Sequence, residues 1–157
     1  MKLITLTATL ALCAFLPLVA AANPPKDVPP RHWAAGSVTR TVNDHIMGTQ
    51  PDGRFRGDKL VTRYELAVTL DRFVHYIEAA HQPLQKPIIH PVFTVPHAAN
   101  LETRHALEHL VAYGFLPTNS PLMSSQGRKS VTAQQFADAL ASVMIRLSDR
   151  SLPPQKE

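Results

Sequence analysis

An arginine directly after a helix-capping threonine is the first residue of this chain with chemistry to offer. Thr62 and Glu65 form the S/T-x-x-E pattern that opens a helix, and Arg63 sits between them. Its guanidinium therefore lies near free backbone N–H groups and the positive end of the helix dipole. That combination suits a carboxylate, which the planar fork can hold through two hydrogen bonds. An internal salt bridge is the other use of the same charge. Arg54 and Arg56, just past a Pro51-Asp52-Gly53 turn, add positive potential to the same stretch. Trp33, the one tryptophan, either presents a flat apolar face to a ligand or begins an apolar core stripe. Glu65 reads as a capping residue.

Other chemistries find less support. His105 and His109 are four apart, the spacing that puts two metal ligands on one helix face, but no third ligand is fixed nearby by sequence. No metal site and no cofactor are expected. The chain has no G-x-S-x-G elbow, no H-E-x-x-H and no phosphate-cradling glycine loop. Asp52 and Asp58 read as a turn residue and a solvated charge rather than a glycosidase pair. Enzymatic activity is not expected, and neither is nucleic-acid binding, given a basic stretch confined to one loop.

The elements that must position these residues follow from periodicity. Trp33, Val38, Val42 and Ile46 recur at near-helical spacing and predict a helix over about 33–44. The Pro51-Asp52-Gly53 turn follows, in which proline presets φ and Gly53 accepts a positive one. After the Thr62/Glu65 box, Leu66, Leu70, Phe73, Val74 and Ile77 mark one face of a second helix. Pro83, Pro87, Pro91 and Pro96 then exclude a helix and predict a linker over 81–100, with Val92-Phe93-Thr94-Val95 as a candidate strand. A third helix carries Leu107, Leu110 and Val111 and stops at Gly114. Thr132 and Gln135 cap a fourth, whose inner face is expected to hold Phe136, Leu140, Val143 and Leu147.

The chain has 157 residues, with 14 prolines, one cysteine and a formal net charge of +4. Lys2 and an uncharged apolar stretch ending in Ala20-Ala21-Ala22 predict an export signal over 1–22. Its removal would take the lone Cys13 with it and leave no possibility of a disulfide. Lys2 would go too, leaving no stable transmembrane segment and a net charge of +3, an excess concentrated in Arg54, Arg56, Lys59 and Arg63.

Val61-Thr62-x-x-Glu65-Leu66-Ala67 and Val131-Thr132-x-x-Gln135-Phe136-Ala137 superpose at an offset of seventy residues, and Ile46-Met47 corresponds to Phe115-Leu116 at sixty-nine. The expected fold is therefore all-α. Two helix–loop–helix units, over 23–80 and 101–148, are joined by the 81–100 linker and followed by a polar tail at 149–157. A two-helix unit cannot bury its apolar face alone, so the units must pack on each other or on further copies.

Asp27-Val28-Pro29, His32-Trp33-Ala34, Ile46-Met47, Pro51-Asp52-Gly53-Arg54-Phe55 and Val61-Thr62-Arg63-Tyr64-Glu65 occur in this order. Together they resemble the S-layer homology (SLH) module, with its D-V-x-x-x-H-W-A opening, G-I-I segment, P-D-G-x-F turn and T-R-x-E box. Two departures are local: His45 stands where the family usually has glycine, and Gly48-Thr49 replaces the commoner order. The second unit resembles a degenerate copy with Ala133 in place of the arginine, and is expected to be structural. The resemblance implies an exported cell-envelope protein that binds a cell-wall polysaccharide non-covalently, often a pyruvylated secondary polymer linked to peptidoglycan. The residues whose chemistry, as read above, suits such a ligand are Arg63, Trp33, Arg54 and Arg56. SLH modules occur in threes, which implies self-association to complete the set. The rival expectation is an envelope protein–protein module that keeps the fold without the carbohydrate role.

Overall fold

A computed structural model describes residues 24–80, 94–96 and 99–151, with side chains to Asp149. The expected export signal, most of the proline linker, the first half of the candidate strand and the end of the tail lie outside the described residues. Among the described residues four α-helices follow in order: α1 (Ala35–Asn43), α2 (Arg63–Ala80), α3 (Leu101–Ala112) and α4 (Ala133–Ser151), with a 3-10 turn at Pro121–Met123 before α4. The all-α expectation holds.

Both capping boxes form. The Thr62 N–H donates to Glu65 Oε2 at 2.9 Å while its hydroxyl accepts the Glu65 N–H at 3.2 Å. Thr132 and Gln135 repeat the pair at 3.3 and 3.2 Å. Each box satisfies backbone donors that a helix start otherwise leaves open. The opening of α3 was not legible as a box: Asn100 caps it, its Oδ1 accepting the Thr103 N–H at 2.8 Å.

The ends of α1 and α3 are one motif built twice. Ile46 and Met47 both donate to the Thr41 carbonyl, and Phe115 and Leu116 both donate to that of Leu110. The residue that turns the chain is His45 in one case, φ 57°, and Gly114 in the other, φ 73°. The family's glycine at the position of His45 thus has a physical cause: the backbone there is left-handed, which glycine adopts without steric cost.

The two units share a single core. Leu66, Ala67, Leu70 and Val74 of α2 pack with Leu107, Leu110 and Val111 of α3, and with Phe115, Leu116, Leu122, Ala139 and Val143. Phe115 is fully buried, and truncating such a residue to alanine costs about 3–5 kcal/mol. The linker's end belongs to this core: Val95 and Ala99 are buried in it, and Thr94–Pro96 runs without strand structure. The expected strand is corrected there, because Val95 is held by packing rather than by a ladder partner. Phe136 is also corrected: it is 46% exposed, and Ala139 and Val143 take the inward positions of α4.

α1 contributes no residue to this shared core. Val38, Val42 and Ile46 are half-buried, and Trp33 is 91% exposed, so the reading of Trp33 as core is overturned.

Candidate functional site

The loop preceding α2 is held by its N-terminal neighbour. Asp27 accepts the Phe55 and Arg56 N–H groups on its two carboxylate oxygens, each at 2.7 Å. Lys26 reaches the Asp52 carbonyl at 2.9 Å. The D-V and P-D-G-x-F elements are thus two halves of one clasp. The Phe55 and Arg56 N–H groups hold the Asp27 carboxyl below its ordinary range. Within the loop, Asp52 takes the Arg56 guanidinium at 2.9 Å, and this bond, with the Arg54 N–H, lowers its pKa too. Gly53, at φ 78°, makes the turn. Arg56, at φ 55°, lies in the left-handed region that non-glycine residues enter rarely.

This clasp forms one wall of a groove of about 540 Å³. Its other walls are Met47–Gln50, the α2 face bearing Tyr64, Glu65, Val68 and Arg72, and the start of α3. Four cations line it, Arg56, Lys59, Arg72 and Arg128, against two carboxylates, Glu65 and Glu102. Lys59 pairs with Glu65 at 2.7 Å and Arg72 with Glu102 at 2.5 Å. Partial burial pushes the Glu65 carboxyl up, but the Lys59 ammonium and the Thr62 N–H outweigh it and bring the pKa below its ordinary value. Arg128 is exposed and has no ion pair among the described residues. The ion pairs are solvent-exposed and worth at most about 1 kcal/mol each, so an incoming anion competes with them readily.

Of the four ligand-binding residues expected from sequence, only Arg56 lines this groove. Arg54 is exposed beside the turn, and Trp33 projects into solvent with His32 tilted against it at 5.6 Å. Arg63 is occupied at the joint between the units. Its Nε donates to Gln135 Oε1 at 3.3 Å and its Nη1 to Ser124 Oγ at 3.0 Å. These are internal hydrogen bonds to neutral acceptors, not the salt bridge expected as the alternative. Beside it the two capping segments pair antiparallel at Thr62 and Ser130. The Arg63 N–H donates to the Lys129 carbonyl at 3.1 Å and the Val131 N–H to that of Val61 at 2.9 Å.

Lys59, Arg72 and Arg128 were not singled out as ligands from sequence. Arg128 comes from the second unit and Arg72 from the third turn of α2, so only the packing of the units brings them together. The cluster of basic residues before Thr62 was the one available signal.

Residues 26–67 match the S-layer homology domain. Outer membrane protein alpha of Thermotoga maritima is 42% identical over 52 residues, 33% of this chain and 13% of that protein. Outer membrane protein SlpA of Deinococcus radiodurans is 37% identical over 57 residues, 36% of this chain and 5% of its own length. The cellulosome-anchoring protein of Acetivibrio thermocellus is 33% identical over 57 residues, 36% and 13% of the two chains. The match thus spans at most 13% of the length of each of these relatives. No solved structure matches the chain. No helix among the described residues is long and apolar enough to cross a membrane.

Proposed function

We propose that this is an exported, non-catalytic protein of the cell envelope whose SLH module anchors it to an anionic wall polysaccharide. The carrying observation is the groove beside α2, where, among the described residues, Arg128 has no ion pair and Arg56, Lys59 and Arg72 are held only in exposed ones. A polymer bearing carboxylates, such as a pyruvylated one, would displace the weak surface pairs and engage Arg56, Lys59, Arg72 and Arg128 together. Trp33, 91% exposed, offers a stacking face for a sugar ring away from the groove. Arg63 acts from behind, holding the second unit's capping segment in register so that Arg128 reaches the groove. The names of the relatives, outer membrane proteins and a cellulosome-anchoring protein, agree with a surface role.

The test is co-sedimentation of the purified protein with isolated cell-wall sacculi. Replacing Arg72 and Arg128 together by alanine should reduce the pelleted fraction at least tenfold, while Arg54→Ala, outside the groove, pellets as wild type. Wild-type protein that stays in the supernatant sinks the proposal.

A second reading, an envelope protein–protein module, rests on Phe136, Met144 and Ile145, large apolar residues exposed on α4. Sacculus binding that survives removal of the secondary polymer would favour it.

A further inference from the structure

We propose that Asp71 and His75 of α2, with His109 of α3, form a binding site for one divalent transition-metal ion of the zinc type. Sequence spacing paired His109 with His105. In the fold His105 is exposed, and the partners of His109 come from α2 instead. Asp71 and His75 are four residues apart, so they share one face of that helix. The packing of α2 on α3 brings His109 Nδ1 to 2.6 Å from Asp71 Oδ1. The His75 ring lies over that of His109, centroids 4.5 Å apart and 9° from parallel. One ligand atom from each of the three falls within 4.8 Å of the others.

The donor set is two imidazoles and one carboxylate, which suits zinc and its neighbours rather than calcium or magnesium. Ligand atoms at 2.0–2.2 Å from a tetrahedral ion stand about 3.4 Å from one another. Two adjustments reach that spacing. The Asp71–His109 pair opens slightly as the ion takes the place of the proton between them, His109 ligating through Nδ1 as the neutral tautomer that carries its proton on Nε2. His75, its side chain 59% exposed, swings off the stack toward the ion. The other two ligands are preset: their side chains are only 16% and 18% exposed, and the His109 ring packs against Tyr113 and Phe115. Solvent supplies the fourth position.

The site would tie the second helix of one unit to the first helix of the next, so occupancy should raise the melting temperature saturably. The experiment is calorimetric titration of Zn²⁺ into the purified protein, with Co²⁺ as a spectroscopic stand-in. Wild type should bind one ion with a tetrahedral cobalt spectrum. H75Q and D71N should each weaken binding at least ~10-fold, the loss that even an outer partner of a metal ligand can cause. H105Q should leave it unchanged. His75 is exposed, so H75Q should keep the wild-type circular dichroism and separates lost ligation from lost fold. No saturable zinc binding by wild type, or undiminished binding by folded H75Q and H109Q, overturns the proposal.

Discussion

Arg63 Nε donates to Gln135 Oε1 at 3.3 Å, and that same oxygen accepts the Thr132 N–H at 3.3 Å. The arginine of one capping box therefore completes the other. The reciprocal contact does not exist, because Ala133 stands at the position equivalent to Arg63, and Glu65 turns to Lys59 instead. Near-symmetric units are thus joined by an asymmetric bond. Arg63→Ala removes two side-chain hydrogen bonds across the joint. At about 0.5–1.5 kcal/mol each, it should cost roughly 1–3 kcal/mol in urea denaturation. Arg63→Lys should recover less than half, since an ammonium cannot serve both acceptors with the same fork.

His45 and Gly114 test the repeated helix end. His45→Gly should stabilise the protein by up to about 1 kcal/mol, relieving a left-handed non-glycine residue. Gly114→Ala should do the reverse, by about 1–2 kcal/mol. Thermal melts of the two variants, shifted in opposite directions, check both.

Gly127 lies against Tyr64, whose N–H donates to the Gly127 carbonyl at 3.0 Å and whose hydroxyl donates to the Ser124 carbonyl at 3.3 Å. A Cβ at 127 would overlap the Tyr64 ring. Gly127→Ala should therefore destabilise by about 3 kcal/mol, at the upper end of overpacking costs, whereas Gly36→Ala, with open space around it, should not. Guanidinium unfolding of the pair distinguishes close approach from glycine entropy.

The Asp27 clasp gives an acid limit. Its pKa is lowered in the fold by the Phe55 and Arg56 N–H groups, so the unfolded chain binds the proton more tightly. Stability from this group is fully present above the ordinary aspartate value of about 3.9 and is lost as pH falls from there through the lowered folded value. Asp27→Asn should flatten that part of the stability–pH curve, measured by urea midpoints between neutral pH and pH 3. An unchanged acid limb would remove the clasp from the account.

What was legible in sequence was local. Thr62/Glu65 and Thr132/Gln135 announce their helices because a capping box is complete within four residues. The pairing of Ile46 with Phe115 placed His45 opposite Gly114 by counting alone. Phe136 was misread because its helical period is right, but α4 turns Ala139 and Val143 inward and leaves it at the rim. The Asp71–His75–His109 cluster and the Arg72–Arg128 groove could not be read, since each needs the angle at which two units meet.

The region matching the SLH domain ends at residue 67, one turn into α2, while the hydrophobic interior begins at Tyr64 and runs through α3 and α4. The recognisable module and the hydrophobic interior are therefore offset along the chain by about one helix. α1 and its loop lie outside that interior, held by the Asp27 clasp and the turn at His45. Their amides should exchange with deuterium through openings that leave α2–α4 closed. A fragment cut at residue 67 would discard most of the interior on which α2 packs, so a stable excised module should need α3 and α4 as well.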